Sequence, residues 1–303
     1  MRICYHVSLH LEATLTFSFH WYPVITLTNH TAPIQFFMQY KPVALVTLNP
    51  RLQSITDLTE LSEVYHIREN YTQCKFSFID DKANAYFGTA PVTKKDLTLE
   101  SIMASLARIP DEEIYPVRPE GLIVADRGKL ESKDFYIKRP GLLDYELVSG
   151  EDALAQLLLQ EGRNLECIRR HPHPSLASYH GCVMKGDRIA GLVLSRFLVT
   201  LEDRVHQTEK PLDKEAVMEM VTSGVQHLHS QGLAHNDLNP NNVMLNEQDS
   251  PVIIDFGSTK PFGEKLISAG TEGWVEEDFD RSAAKNDEVA LRLIREWLDG
   301  QLS

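Results

Sequence analysis

The sequence predicts an α+β fold in which a β-rich N-terminal region precedes a mixed region of helices and strands. Between positions 13 and 48, short runs of alternating apolar residues are separated by Pro and Asn, which is typical of antiparallel strands joined by turns. From about position 150 onward, apolar residues recur at helical spacing in two long segments. The length of 303 residues suits two domains.

Residues 1–95 are predicted to form the β-rich domain, a small antiparallel sandwich or barrel. Its strand-like runs are 13–19, 21–28, 34–40 and 43–48. Residues 75–79 and 85–87 are predicted to pair as a further hairpin. A helical connector at 97–109, within residues 96–112, leads to a third part at 113–303. Histidines in the β-rich domain are scattered, so this domain is interpreted as a binding or regulatory module.

Composition and charge exclude several classes of function. The 43 acidic residues exceed the 30 basic ones, for a net charge of −13, which argues against nucleic-acid binding. No apolar run approaches the roughly 18 to 20 residues of a membrane span, and the first 21 residues lack the continuous apolar block of a signal peptide. The four cysteines show no metal or redox spacing. An intracellular, cytoplasmic protein with reduced thiols is therefore expected.

Residues 233–257 carry the sequence pattern of a phosphoryl-transfer site. Residues 235–242 read HNDLNPNN, and residues 255–257 read DFG. Protein kinases position the attacking hydroxyl with the Asp of H-R-D-L-x-x-x-N, and bind magnesium through its Asn and through the Asp of D-F-G. Residues 243–245 and 252–254, between the motifs, are predicted to form a strand hairpin around a polar turn. Either triplet alone is a weak signal, but their order around a hairpin indicates one site.

The two motifs resemble those of the protein kinase superfamily, in particular a compact fungal-type kinase domain with the same HNDLNPNN loop and DFG. The resemblance implies a two-lobed protein kinase-like fold, truncated after the helix that follows the activation segment. The small lobe would occupy about 113–194 and the large lobe about 198–303. ATP and Mg²⁺ are the implied cofactors. Asp237 is the implied catalytic base, and Asn242 and Asp255 are the implied metal ligands.

Two further catalytic residues are implied in the small lobe. The segment FYIKRP at 135–140 is similar to the third strand of kinases, which makes Lys138 the candidate for binding the ATP phosphates. A helix predicted from about position 150 carries Glu161, the candidate partner of Lys138, with Glu166 as the alternative. The His-Pro segment at 171–176 resembles the one that follows this helix in kinases.

The expected nucleotide-binding residues match the kinase pattern less closely. Gly121 stands where a phosphate-covering hairpin is expected, but Pro116 and Arg118 occupy the positions of two further glycines. Glycine loops bind phosphate because no side chain blocks the backbone amides, so these replacements predict weak nucleotide binding. Leu194 is expected at the gatekeeper position, and Arg196 in the hinge that holds adenine.

The implied large lobe departs from the kinase pattern at its catalytic loop. Asn236 replaces the Arg that binds a phosphorylated activation loop in regulated kinases, which argues against control by such phosphorylation. Asn239 replaces a Lys whose charge would help to neutralise the transferred phosphoryl group, so slow chemistry is expected. Gly270 and Thr271 resemble the segment that folds over a protein substrate. Asp287 resembles the buried aspartate that binds the catalytic-loop backbone.

A second helix is predicted after Asp213, which is a plausible N-cap. Its apolar residues at helical spacing are Ala216, Met220, Val221, Val225 and Leu228. This pattern is typical of a buried helix that leads into the catalytic loop.

Three functional hypotheses follow from these residues. The first is an ATP-dependent Ser/Thr protein kinase that acts on a protein substrate or signalling partner. It is supported by the presence of Lys138, Asp237, Asn242 and Asp255. The second is a nucleotide-binding pseudokinase scaffold, favoured by the irregular glycine hairpin and Asn239. The third is a small-molecule phosphotransferase of kinase-like fold, against which the DFG triplet and the segment around Thr271 argue.

Overall fold

The computed structural model describes residues 52–66, 71–206, 211–266, 270–276 and 279–300. These residues belong to one compact unit, Arg51–Ser303. The strands that the sequence predicts between positions 13 and 48 lie outside the described residues. Within the described part of the chain, every helix is too short or too polar to cross a bilayer.

Strands and helices alternate irregularly along the chain, as expected for an α+β fold. The strands are Glu60–His66 (β1), Tyr71–Ile79 (β2), Ala85–Ala90 (β3), Ala107–Arg108 (β4), Phe135–Lys138 (β5), Tyr179–Lys185 (β6), Arg188–Ser195 (β7), Val199–Thr200 (β8), Leu233–Ala234 (β9), Val243–Leu245 (β10), Pro251–Ile253 (β11) and Lys260–Pro261 (β12). The helices are Leu99–Ser105 (α1), Asp111–Ile114 (α2), Arg127–Glu131 (α3), Tyr145–Val148 (α4), Ala153–Arg170 (α5), Leu201–His206 (α6), Lys214–Ser230 (α7) and Ala284–Leu298 (α8).

An antiparallel sheet in the order β1-β2-β3-β4 precedes the two-lobed region. The predicted hairpin of residues 75–79 and 85–87 is confirmed, because β2 and β3 pair antiparallel. Phe76 and Ile102 are fully buried between this sheet and α1. Cys74, Phe76 and Phe78 alternate along β2 and therefore lie together in this small core, while Lys75 and Ser77 on the opposite face are also buried.

The predicted helical connector at 97–109 is only partly correct. Helix α1 begins after Thr98, whose hydroxyl forms a capping box with Ser101, but it ends at Ser105. The next residues return to the sheet as β4, opposite β3. Arg108 then binds Asn84 and Asp111 through its guanidinium. The pairing with β3 and the contact with Asn84 are tertiary, so local helical propensity does not reveal the change from helix to strand.

The small lobe is a sheet in the order β5-β7-β6, with α5 packed against it. Lys138 at the end of β5 lies opposite Leu192 of β7. A Cβ atom on Gly162 of α5 would lie 3.3 Å from the Leu192 side chain, so the small residue lets helix and sheet approach closely. Strand β5 and helix α5 thus bring Lys138 and Glu161 to the same side of the sheet.

The predicted helix after Asp213 is confirmed as α7, with the Asp213 carboxylate accepting a hydrogen bond from the backbone N–H of Ala216. The predicted buried face was shifted, because Ala216 is exposed and Met220 is only half-buried. The buried residues are Val217, Met218, Val221, Gly224, Val225 and Leu228. Gly224 packs closely against Ser175, and this tertiary contact sets the rotation of the helix.

The large lobe holds the predicted hairpin as β10 and β11, which pair antiparallel. Asn246 closes its turn by accepting hydrogen bonds from the backbone N–H groups of Gln248 and Ser250. Helix α8 packs against α7 and β9, and one core of buried side chains continues through both lobes. The two-lobed, kinase-like α+β fold expected from the sequence is therefore present.

Candidate active site

A buried carboxylate holds the loop between β9 and β10. Asp287 of α8 is fully buried, and its two oxygens accept hydrogen bonds from the backbone N–H groups of His235 and Asn236, each at 2.8 Å. A third hydrogen bond comes from Nε2 of His229, also at 2.8 Å. The predicted contact of Asp287 with the backbone of this loop is confirmed. Three donors satisfy a charge that would otherwise be costly to bury.

Asn236 connects this loop to its neighbours through its side-chain amide. It is buried and has a φ of +66°, a conformation that Asn adopts more readily than most residues. Its Nδ2 lies 2.9 to 3.0 Å from Ala234 O, Ser258 O and Ser282 Oγ. Its Oδ1 accepts a hydrogen bond from Asn286. The residue that replaces the expected Arg is thus a neutral link inside the fold.

Asp237 lies next, with its carboxylate half-buried. Its Oδ1 accepts a hydrogen bond of 2.6 Å from the Thr271 hydroxyl. The Asn242 amide nitrogen donates to the Asp237 backbone oxygen at 2.8 Å and approaches Oδ2 at 3.3 Å. Since the Asn242 nitrogen is engaged in this way, its carbonyl oxygen is left as the available metal-binding atom. Thr271 and Asn242 therefore orient the Asp237 carboxylate, which already accepts a hydrogen bond from a hydroxyl group.

Asn239 stabilises the same loop. Its Oδ1 accepts hydrogen bonds from the backbone N–H groups of Asn241 and Asn242, at 3.0 and 3.2 Å, and so caps the short 3-10 turn Pro240–Asn242. Its Nδ2 approaches the Asp237 backbone oxygen and the Thr271 hydroxyl. Asn239 therefore shapes the loop but brings no positive charge to it.

Lys138, Glu161 and Asp255 form the charged centre of the candidate site. The Lys138 ammonium lies 2.7 Å from Glu161 Oε1 and 2.7 Å from Asp255 Oδ1. The other candidate, Glu166, pairs instead with Arg169. Glu161 is almost fully buried, whereas about 45% of the Asp255 side chain is exposed. Asp255 thus keeps an open side toward solvent, where a cation could bind.

The ionisation of these groups follows from their surroundings. Burial raises the pKa of Glu161, and the nearby Lys138 charge offsets this only in part. For Asp255, burial acts in the same direction, but Lys138 and the backbone N–H of Gly257 outweigh it and lower the pKa. Burial alone would lower the pKa of Lys138, but the two carboxylates raise it. Asp255 is therefore ionised at neutral pH and has the charge that Mg²⁺ prefers.

Helix α5 also fixes the backbone around Asp255. Asn164 donates from Nδ2 to Phe256 O at 2.9 Å and to Thr259 O at 2.8 Å. Asp255 itself has a φ of +62°, and Phe256 is fully buried against His235. The α5 helix therefore positions both Glu161 and the DFG segment.

Gly121 does not lie at this site, so the expectation that it belongs to a hairpin covering the phosphates is wrong. The segment around it runs along the outer side of β6, where Val124 bridges to Cys182. With β6 and β7 in between, three strand spacings separate the segment from β5, about 14 Å. Gly181 allows the approach, since a Cβ atom there would lie 2.6 Å from the Ala125 nitrogen. The order of strands in the sheet, which the glycine spacing does not reveal, decides this placement.

The hinge side of the site contains an aromatic residue that sequence reasoning missed. Tyr136 lies two residues before Lys138 in β5, so both side chains project from the same face, and 47% of Tyr136 is exposed. The Arg196 guanidinium lies 5.8 Å from the centre of the Tyr136 ring and donates to Phe135 O. Leu194, in contrast, is buried opposite Tyr136. The two-residue period of a β-strand is the sequence signal that could have placed Tyr136 on the same face as Lys138.

Comparisons with known proteins agree with this geometry. Residues 149–276 match the protein kinase domain family. The chain is 29% identical over 185 residues to "Sensor for unfolded proteins in the ER ire1" of Schizosaccharomyces pombe, which covers 54% of this chain and 16% of that protein. It is 30% identical over 164 residues to human "Serine/threonine-protein kinase/endoribonuclease IRE2", covering 49% and 16%. Against human "Serine/threonine-protein kinase TAO3" it is 30% identical over 117 residues, covering 37% and 13%.

The matched family segment contains Glu161, Asp237, Asn242 and Asp255 but begins after Lys138. The assignment of Lys138 therefore depends on its ion pairs. The chain spans about a sixth or less of the length of these relatives.

Proposed function

We propose that this chain, which belongs to the protein kinase-like superfamily, is an ATP-dependent kinase that phosphorylates Ser or Thr hydroxyls of a protein, with low intrinsic activity. The observation that carries this proposal is the pairing of Lys138 with both Glu161 and Asp255. An ion pair with one buried partner is stable only with good geometry. We therefore interpret these three side chains as a preorganised binding site for nucleotide phosphates and metal. The kinase relatives named above support the reaction class.

Each side chain then has a role that its surroundings allow. Lys138 binds ATP phosphates, and Glu161 holds the Lys138 ammonium in place. Asp255 and the carbonyl oxygen of Asn242 are oxygen ligands suited to Mg²⁺. A bound Mg²⁺ would bridge phosphate oxygens and offset their charge. The lowered pKa of Asp255 keeps this ligand ionised in neutral solution.

Asp237 is proposed to orient the attacking hydroxyl and accept its proton. The contact of the Thr271 hydroxyl with Asp237 Oδ1 at 2.6 Å supports this role, since it is the contact that a Ser or Thr acceptor needs. The same contact favours aliphatic hydroxyls, because a threonine side chain reaches the carboxylate. Displacement of Thr271 by the acceptor would leave Asp237 still oriented by Asn242.

A pseudokinase that binds nucleotide without turnover is the second candidate. It is favoured by the position of Gly121 on the far side of the sheet and by the neutral Asn239 beside Asp237. Both features remove groups that would stabilise transferring phosphate, which is why the rate is expected to be low.

The first test is magnesium-dependent phosphate transfer from ATP to a generic basic protein, measured with the full chain and Asp255→Ala. We expect transfer by the wild type and at least about a hundredfold loss in the variant, since metal-borne charge stabilisation is worth several kcal/mol. Asp187→Ala is the matched control, because Asp187 is an exposed carboxylate in the β6–β7 turn.

The outcomes separate the two candidates. Transfer that is lost in Asp255→Ala but kept in Asp187→Ala supports the kinase. No transfer by the wild type, together with a rise in Tm on adding ATP, supports the pseudokinase instead. Equal transfer by wild type and Asp255→Ala contradicts the assigned metal ligand.

Tyr136 is proposed to stack on the nucleotide base. Tyr136→Ala is expected to weaken ATP binding about tenfold, since stacking of one base on an aromatic ring is worth ~1–3 kcal/mol. Affinity for inorganic tripolyphosphate, which has no base, is expected to stay within twofold, while Tyr136→Phe keeps ATP affinity. Competition against a fluorescent nucleotide measures all three. An ATP affinity that rises in Tyr136→Ala would instead identify the ring as an obstruction.

A further inference from the structure

The sheet β1–β4 contacts the part of the chain that joins Lys138 to the helix of Glu161. We propose that this sheet is a positioning element for the Lys138–Glu161 pair, with Glu60 and Lys75 as its positioning residues. The proposal rests on the proposed kinase function, because that function needs the pair. It assigns a role to residues 60–66 and 71–90, whose described side chains form none of the contacts of the candidate site given above.

Glu60 provides the first contact. Its Oε2 accepts a hydrogen bond of 2.8 Å from the backbone N–H of Leu142, a fully buried residue that follows β5 closely. The same oxygen accepts a 2.8 Å hydrogen bond from the hydroxyl of the buried Ser77. A carboxylate held by two donors is a strong local constraint. Strand β1 therefore fixes the backbone just after Lys138.

Lys75 provides the second contact. It reaches the connection between Lys138 and α5 four residues after Leu142, at Glu146. It is only 8% exposed and forms an ion pair with Glu146 of α4. Next to this pair, the ring of Phe87 packs against the ring of Tyr145 with centres 5.7 Å apart. Strands β2 and β3 thus hold α4, the short helix that leads into α5.

Glu113 continues the chain of contacts to the start of α5. Its Oε2 accepts hydrogen bonds from the Tyr145 hydroxyl at 2.7 Å and from the backbone N–H of Gly150 at 2.8 Å. Helix α5 begins three residues later, and its N-cap Asp152 makes no side-chain capping bond. A helix start without a cap is less firmly fixed by its own sequence. The contacts that hold residues 142–150 therefore set the position of α5 and of Glu161.

The same sheet is also tied to the small-lobe sheet, in which Lys138 lies on β5. Lys185, at the end of β6, donates from Nζ to Ala83 O at 3.0 Å, to Asn84 Oδ1 at 2.9 Å and to Asp111 Oδ1 at 2.9 Å. The β2–β3 turn is thereby fixed to the small-lobe sheet. Because the β1–β4 sheet contacts both the small-lobe sheet and the connection to Glu161, it can set the distance between Lys138 and Glu161.

The Lys75–Glu146 ion pair offers a reversible test. Lys75→Glu places two like charges together, whereas the double variant Lys75→Glu/Glu146→Lys restores opposite charges. Lys82→Glu is the matched control, because it makes the same charge change on an exposed residue of the β2–β3 turn. The measurements on the full chain are kcat, KM for ATP, Tm, and backbone hydrogen exchange of α5.

We expect Lys75→Glu to lower kcat about tenfold, within the usual range of coupling between distant sites. Hydrogen exchange in α5 should become faster, and the double variant should recover both properties. Lys82→Glu should match the wild type. A loss of kcat explained by a lower folded fraction, with unchanged exchange in α5, would overturn the proposal, and so would an unchanged kcat.

Failure of the kinase hypothesis gives a different result. If the wild type transfers no phosphate, that hypothesis fails, but hydrogen exchange still decides the positioning role. Faster α5 exchange in Lys75→Glu that the double variant reverses supports the role. Unchanged α5 exchange in Lys75→Glu contradicts it.

Discussion

Asp237→Ala should lower kcat by roughly a thousandfold, which is within the range for loss of a positioned acid–base group. Asp237 accepts a hydrogen bond of 2.6 Å from the Thr271 hydroxyl. It is not part of the charged triad of Lys138, Glu161 and Asp255, which is proposed to bind the nucleotide and metal. Removing the Asp237 carboxylate should therefore spare nucleotide binding, with an ATP affinity within about twofold of the wild type. Single-turnover phosphate transfer and nucleotide competition measure the two effects separately.

Two further variants make this result specific. Asp237→Asn keeps the shape of the side chain and an oxygen for Thr271, but it cannot accept a proton, so it should be as slow as Asp237→Ala. Asp187→Ala again controls for loss of an exposed carboxylate. Turnover of Asp237→Ala within tenfold of the wild type would show that another group orients the acceptor.

Asp287→Ala should lower the free energy of unfolding by about 3–5 kcal/mol. The Asp287 carboxylate is fully buried and accepts three hydrogen bonds, from His229, His235 and Asn236. Each buried donor left without a partner costs about 1–3 kcal/mol, and a typical domain has only ~5–15 kcal/mol in total. Urea unfolding followed by circular dichroism measures the change.

Glu288→Ala is the matched control for this prediction. Glu288 is the next residue of α8 and is exposed, so its removal should change stability by less than about 0.5 kcal/mol. If Asp287→Ala and Glu288→Ala unfold at the same urea concentration, Asp287 does not anchor the loop. In the folded fraction of Asp287→Ala, phosphate transfer should also fall, because the backbone of His235 and Asn236 loses its support.

The parts of the site that the sequence predicted are those set by local spacing. The β10–β11 hairpin separates Asp237 from Asp255, and neighbouring residues alone predict its strands and its turn. Glu161 also carried a local signal, since it lies three residues after Leu158 and four before Leu165, both buried in α5. The helical period places these three residues on one face. Their roles in catalysis stay predictions.

The parts that the sequence did not predict depend on contacts between distant segments. Gly121 was expected over the phosphates, but the pairing of its segment with β6 follows from the order of strands in the finished sheet. The end of α1 at Ser105 and the rotation of α7 likewise depend on tertiary packing. The contacts of Glu60 with Leu142 and of Lys75 with Glu146 link residues 82 and 71 positions apart, which periodicity alone does not connect.

Asn236 has a consequence for the response of the site to solution conditions. Its four side-chain contacts join neutral groups in a buried position. Dissolved ions screen interactions between exposed charges, but they have little effect on hydrogen bonds between neutral buried groups. The link that the Asn236 side chain makes between its loop, the segment after DFG and α8 therefore keeps its strength as ionic strength rises. A loss of activity in high salt is instead expected from partly exposed charged contacts, namely the Lys138–Asp255 and Lys75–Glu146 ion pairs and the contacts with nucleotide or acceptor.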